Sequence, residues 1–187
     1  MQKAVFLDRD GTINVERDYL FRCEEFEFIP GVPQAIKQLN DAGFLVVVVT
    51  NQSGVARGYY SEGDVERLHE FVQLQLADYG AHVDAFYYCP HHPDKGNDPY
   101  LKQCRCRKGQ PGMLLDAARE FDIDLPHSFM VGDKLADVEA GFAAGCVPLL
   151  VLTGHGEVEK DKVTVQTHIC EDLPAAVRDI CRMVDVE

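Results

Sequence analysis

Short apolar runs rich in Val and Leu alternate along the chain with segments whose apolar residues recur at helical spacing. Ala4–Leu7, Leu45–Val49, Val83–Tyr88, Phe129–Val131 and Leu149–Leu152 read as buried strands. Between them the pattern predicts helices. Val32–Ala42 carries Pro33 in its first turn and Gly43 just past its end, the usual asymmetry of start and stop signals. Ser61 followed by Asp64 has the form of a capping box with Asp for Glu, opening a helix over Glu62–Tyr79 that Gly80 closes. Its apolar residues Val65, Leu68, Val72 and Leu76 share one face. Further helices are predicted over Met113–Phe121, over Asp137–Ala144 with Gly145 behind it, and over Pro174–Met183 with Asp172 as a cap. Together these predict an α/β fold: a Rossmann-like, mostly parallel sheet with helices on both faces. No repeat, low-complexity tract or Ser/Gly linker divides the chain, so residues 1–187 are expected to form a single domain.

Composition narrows the partners. The 187 residues are 46% apolar, with mean hydropathy −0.17, which is globular rather than disordered. Eighteen Lys+Arg against 31 Asp+Glu leave a net charge of −13, which repels a nucleic-acid backbone or an anionic membrane surface. A small-molecule substrate and a monomeric protein are expected instead. No apolar run approaches the roughly 20 residues of a membrane span. The first apolar segment is interrupted at once by Asp8-Arg9-Asp10, unlike a secretory signal, so a cytoplasmic location is expected. Seven cysteines are then thiols or metal ligands rather than a disulfide framework.

Polar residues gather at the expected strand ends. Asp8-Arg9-Asp10-Gly11-Thr12 follows the first strand directly, Thr50-Asn51-Gln52 closes the second, and Gly132-Asp133-Lys134 follows the fourth with Asp137 beyond it. In an open α/β sheet these ends border the ligand crevice. Clustered carboxylates repel and raise one another's pKa; a hard divalent cation with oxygen ligands resolves this, and Mg²⁺ with a phosphate as further ligand fits. A single D-x-D is commonly just a cap or turn, but caps do not require this set in this order.

The long stretch Cys89–Gly112 has no clear period, and loops of that length are usually functional or metal-bound. It contains Cys89-Pro90-His91-His92 and Cys104-Arg105-Cys106, three thiolates and an imidazole suited to tetrahedral structural Zn²⁺, with His92 able to replace His91 as ligand. Such a shell leaves no open position, so the metal would order the loop and not activate water. Cys23, Cys146, Cys170 and Cys181 lie outside this set and read as small apolar residues or thiols. Arg107-Lys108 directly after the last ligand would be two cations held beside the crevice. The domain is thus expected to carry a zinc-bound loop over about residues 89–112 and no large cap.

Asp8-Arg9-Asp10-Gly11-Thr12, Thr50-Asn51, Lys108 and Gly132-Asp133-Lys134 with Asp137 resemble the four motifs of the haloacid dehalogenase superfamily of phosphohydrolases. The resemblance implies Asp8 as nucleophile, forming an aspartyl-phosphate, and Asp10 as general acid and base. It implies Mg²⁺ held by Asp8, the Asp10 carbonyl and Asp133, with Thr50, Asn51 and Lys108 on the transferring phosphoryl oxygens and Asp137 supporting from behind. Within the superfamily, the runs D-R-D-G-T-I-N, F-E-F-I-P-G-V, V-V-T-N-Q-S-G-V-A-R-G, Y-Y-C-P-H-H-P, C-R-C-R-K and M-V-G-D-K resemble the heptose bisphosphate phosphatase branch. That branch removes the C7 phosphate of a heptose 1,7-bisphosphate for nucleotide-activated heptose in lipopolysaccharide or surface glycans. Arg107 would then hold the remaining phosphate, and Glu16, Asp18, Tyr19, Gln52 and Ser53 the sugar, while Lys134 adds positive potential. The branch usually has Pro after Arg-Lys; Gly109 stands here and is expected to loosen the loop. Histidinol-phosphate phosphatases share the aspartate motifs and zinc loop and are the alternative; a zinc-stabilised binding module is the non-enzymatic one.

Overall fold

A computed structural model describes residues 1–185. Six strands, β1 (Ala4–Leu7), β2 (Leu45–Asn51), β3 (Ala85–Cys89), β4 (Phe129–Gly132), β5 (Val147–Val151) and β6 (His168–Cys170), form one sheet. Its order is β3-β2-β1-β4-β5-β6 and every neighbouring pair is parallel. Helices α1 (Val32–Asp41), α2 (Glu62–Ala77), α3 (Gly112–Phe121), α4 (Leu135–Ala144), α5 (Gly156–Glu159) and α6 (Leu173–Asp185) complete the architecture.

The two faces follow from the two-residue period of a strand. Val5 and Leu7 of β1 and Val46 and Val48 of β2 pack with Ile36 of α1, Val72 of α2 and Val177 of α6. Ala4, Phe6, Val47, Val49 and Met130 point the other way, onto Leu114 and Ala117 of α3 and Ala140 of α4. Helices on both faces make the central strands apolar on both sides, which is why they read as continuous apolar runs.

Element ends differ from the expectations for identifiable reasons. β3 starts at Ala85 rather than Val83, because the Val83 backbone is engaged by Gln73 of α2: its N–H donates to Oε1 at 2.9 Å and its carbonyl accepts from Nε2 at 2.7 Å. The Ser61 capping box is present, with Ser61 Oγ accepting from Asp64 N–H, and Asp172 Oδ1 accepts from Ala175 N–H at 2.8 Å. α2 stops at Ala77, and Tyr79 lies in the closing turn. The pattern missed β6, three residues long and largely exposed, and the single turn α5, because neither has a period to read.

This strand order places a switch point at β1, from which the chain winds outward through β2 and β3 and then returns to β4 on the other side. The connections leave β1 and β4 in opposite directions, and the gap between their carboxyl ends is the crevice such sheets use for ligands.

Candidate active site

Asp8 occupies that gap. Its backbone N–H donates to Val131 O at 2.9 Å, locking the end of β1 to β4, and its Oδ1 accepts from Arg9 N–H at 2.8 Å. Lys108 arrives from the long loop and places Nζ 2.6 Å from Asp8 Oδ1 and 2.7 Å from Asp137 Oδ1, all three side chains being nearly water-free. Burial alone depresses a lysine, but Asp137 and Asp8 outweigh it and hold Lys108 above its ordinary value. Asp137 is fixed in turn by Lys134 N–H, which donates to Oδ2 at 3.0 Å. Asp133 is fully buried; its Oδ2 accepts from His155 N–H at 2.8 Å, while its Oδ1 meets no hydrogen-bond donor. Burial, then the carboxylates of Asp8 and Asp137, push Asp133 up to about 9. Oxygens of Asp8, Asp133 and Asp137 all lie within 4.8 Å of one another. Gly11, at φ +82°, passes so close that a Cβ there would sit 2.2 Å from Asp133 Oδ2.

Asp10 sits in a separate polar clamp. Arg9 NH2 donates to both of its oxygens at 3.1 and 3.0 Å, Asn14 Nδ2 donates at 3.0 Å and Gln52 Nε2 at 3.0 Å. Burial raises this carboxyl, yet the Arg9 guanidinium, followed by the Asn14 and Gln52 hydrogen bonds, brings it below the usual value, so it stands ionised. Gln52 also donates to Thr50 Oγ1 at 2.9 Å and accepts from Tyr60 O–H at 2.6 Å. The side chains at the ends of β1 and β2 thus form one network.

These groups border a cavity of about 300 Å³. Asp8, Asp10, Glu16, Asp18, Tyr19, Thr50, Asn51, Gln52, Ser53, Arg107, Lys108 and Lys134 all line it, as does Asp137, with Asp133 buried just behind. Glu16 approaches Lys134 Nζ at 3.8 Å and His155 Nε2 at 3.4 Å. Five carboxylates and three permanent cations face the space. Sequence reasoning assigned nothing to Arg9, Asn14, Tyr60, His69 or His155. Of these, Asn14 was the most legible, four residues beyond Asp10 inside the first motif; His69 lies on a helix with no local sign of its partner.

The loop after β3 draws Cys89, His91, Cys104 and Cys106 together. The three Sγ atoms are 3.2 to 3.4 Å apart, and His91 Nδ1 is 3.4 Å from Cys106 Sγ and 3.6 Å from Cys89 Sγ. His92 is excluded from this group: its Nδ1 accepts from the N–H groups of Asp94 and Lys95 at 3.1 and 3.0 Å. Arg107 NH1 donates to His91 O at 3.2 Å, so the cluster and the cavity share a side chain. The loosening expected at Gly109 is corrected. Gly109 adopts φ +77° and its N–H donates to Ala136 O at 3.0 Å, a bond and a dihedral that proline cannot supply, while Lys108 N–H donates to Asn51 Oδ1 at 2.9 Å. The segment is therefore tied to both α4 and β2. Among the described residues no helix is long and apolar enough to cross a membrane.

The HAD-hydrolase-like family model matches residues 105–176. The chain is 47% identical over 181 residues to the D-glycero-beta-D-manno-heptose-1,7-bisphosphate 7-phosphatase of Photorhabdus laumondii, covering 95% of this chain and 96% of that protein. It is 46% identical over 179 residues to the protein of the same name from Escherichia coli, covering 94% and 93%. Among solved structures, the D,D-heptose 1,7-bisphosphate phosphatase of B. bronchiseptica, crystallised with magnesium and phosphate, superposes with a TM-score of 0.87 at 39% identity, covering 97% of this chain and 99% of that one.

Proposed function

The chain belongs to the D-glycero-beta-D-manno-heptose-1,7-bisphosphate 7-phosphatase family of HAD-like hydrolases, and from that premise we propose how its own residues remove the C7 phosphate of the heptose bisphosphate. This is a step toward nucleotide-activated heptose for lipopolysaccharide or surface glycans. The observation that carries the assignment is the placement of Asp8 at the switch point, its carboxylate held by buried Lys108 and open to a cavity in which Asp10 is clamped separately.

Asp8 attacks phosphorus, the bond from phosphorus to the C7 oxygen breaks, and Asp10 delivers a proton to the departing oxygen. Water then attacks the aspartyl-phosphate as Asp10 takes its proton, the bond to Asp8 breaks and inorganic phosphate leaves. Asp10 is ionised at rest, as its second role requires; a phosphate dianion entering beside it raises its proton affinity, so it takes up one proton from solvent as the substrate binds and delivers that proton in the first step. Thr50, Asn51 and Lys108 hold the transferring phosphoryl oxygens, so the compensating charge is in place before the reaction starts. Asp137 keeps Lys108 aimed. Arg107 takes the phosphate that remains, and Glu16, Asp18, Tyr19, Gln52, Ser53 and Lys134 surround the sugar.

The donors fit Mg²⁺: Asp133 offers a buried oxygen with no other partner, and an excess of carboxylates faces the path of an anionic substrate. Asp8, the Asp10 carbonyl and Asp133 would hold the ion, which when bound neutralises charge on the phosphoryl group. Three soft sulfurs and one imidazole nitrogen within 4.8 Å fit structural Zn²⁺ at Cys89, His91, Cys104 and Cys106. Its place is in the loop 89–112 of a single domain spanning 1–187, and we assign the enzyme to the cytoplasm as a monomer that binds neither nucleic acid nor membrane, in keeping with its net charge of −13.

The test is phosphate release with Mg²⁺ from each anomer of heptose 1,7-bisphosphate, beside histidinol phosphate, with Asp8→Asn as comparison. Turnover of the heptose substrate that vanishes in Asp8→Asn is expected. Preference for histidinol phosphate would refute the substrate, and full activity in Asp8→Asn the covalent mechanism.

A further inference from the structure

Arg9 is the largest fully buried side chain, and nothing in the reaction requires it to touch substrate. Its guanidinium is held at three points. NH2 spans both Asp10 oxygens and also donates to Leu20 O at 3.1 Å, and NH1 lies 3.2 Å from Nε2 of His69 on α2. A guanidinium can only donate, so His69 Nε2 is the acceptor and the ring proton sits on Nδ1. The ring has little freedom: it is 5% exposed and stacks on Phe86 of β3 at 4.6 Å and 18°. Burial, and after it the Arg9 charge, lowers its pKa to about 3, so it remains a neutral acceptor at working pH. Arg9 Nε is buried without a partner, which leaves NH1 and NH2 as the atoms that set the plane of the guanidinium.

We propose that His69 is a positioning residue: by accepting from Arg9 NH1 it fixes the guanidinium that orients the Asp10 carboxylate toward the departing oxygen. The proposal rests on the reading of Asp10 as acid and base. Without an acceptor at position 69, the guanidinium loses its rear anchor and tilts about its contact with the Leu20 carbonyl, changing the angle at which NH2 meets the two Asp10 oxygens that Asn14 and Gln52 still hold. Leu20 belongs to the same loop as Tyr19, which lines the cavity, so Arg9 also sets that loop against the acid.

The experiment compares kcat/KM, which reports the first phosphoryl transfer, for two substrates. The sugar alkoxide of heptose 1,7-bisphosphate needs a proton as its bond to phosphorus breaks; the p-nitrophenolate of p-nitrophenyl phosphate leaves without one. His69→Phe keeps the stack on Phe86 but cannot accept a hydrogen bond, whereas His69→Gln can. We expect His69→Phe to lower kcat/KM for the heptose substrate by about tenfold to a hundredfold, and His69→Gln to recover most of it. For p-nitrophenyl phosphate, both variants should stay within about twofold of wild type, since no proton delivery is lost. Equal losses on both substrates, no loss on either, or a Gln variant as poor as Phe would each overturn the proposal. If His69→Phe shows no cooperative melt, His69→Leu takes its place in the same comparison. Asp10→Asn is measured alongside. If that variant keeps its kcat/KM on the heptose substrate, the assignment of Asp10 itself fails, an outcome distinct from any His69 result.

Discussion

Replacing Lys108 with methionine keeps an unbranched side chain, one heavy atom shorter, and removes its charge. In the wild type Nζ lies 2.6 Å from Asp8 and 2.7 Å from Asp137, and the three side chains are 3%, 6% and 2% exposed, so solvent screening is slight. Removing one partner of a buried ion pair costs about 3–5 kcal/mol, because the remaining charge is left in a poor solvent. For a chain of this length that corresponds to a fall in Tm of roughly 6–20 °C. Loss of one preorganised donor to the phosphoryl oxygens should lower kcat/KM by about a hundredfold to a thousandfold. Stability and activity separate in the double variant Lys108→Met/Asp137→Asn, which removes one of the orphaned charges. It should regain much of the lost Tm and none of the lost activity. Thermal melts and steady-state phosphate release on the three proteins decide the matter. The destabilisation should be smaller at pH 6 than at pH 8: burial, then Asp8, already push Asp137 up to about 6, and without the cation it takes up a proton more readily still. A Lys108→Met protein within about 0.5 kcal/mol of wild type at pH 8 would show that the pair is not the buried interaction described.

Three further predictions follow from the same geometry. Cys104→Ser should cut zinc content, cost about 2 kcal/mol or more, and open the loop 89–112 to proteolysis, with KM rising more than kcat falls because Arg107 hangs from His91 O; zinc analysis, melts and kinetics measure this. Gly11→Ala places a Cβ 2.2 Å from Asp133 Oδ2 at a φ of +82°, so Asp133 must move and the Mg²⁺ concentration for half-maximal activity should rise by about tenfold, as Mg²⁺ titration would reveal. The folded pKa of His69 is depressed to about 3 from 6.5, so the unfolded state binds the extra proton and stability present above pH 6.5 is lost as pH falls toward 3. Denaturant unfolding should therefore show wild type losing about 2 kcal/mol more than His69→Gln between pH 7 and pH 5; parallel curves would contradict the buried neutral ring.

Much of the site was legible because its residues sit at strand ends, and strand ends announce themselves locally. A buried apolar run followed by Asp8-x-Asp10, by Thr50-Asn51 or by Gly132-Asp133 identifies both the element and the polar group it delivers. The cysteine and histidine set was suggested by its residue types together with the loop that carries them, since a loop without apolar period needs a constraint from elsewhere. What the sequence could not say was which side chains support these groups. His91 and His92 are equivalent as letters, and only the path of the loop turns one toward sulfur and gives the other to backbone N–H groups. Gly109 reads as a loss of stiffness, yet the folded chain uses its positive φ and its N–H.

The deeper division is between contacts made along the chain and contacts made across it. Local pattern determined the alternation of strands and helices, the caps at Ser61 and Asp172, and the order in which reactive groups arrive at the sheet edge. Tertiary structure alone decided that Lys108 reaches Asp8 across a hundred residues and Arg9 reaches His69 across sixty. It also decided that β6 closes the sheet with three residues too few to carry a period. The physical reason is that propensity and periodicity act over a few residues, whereas a buried charge is stabilised by whichever partners the packed fold brings within about 3 Å of it.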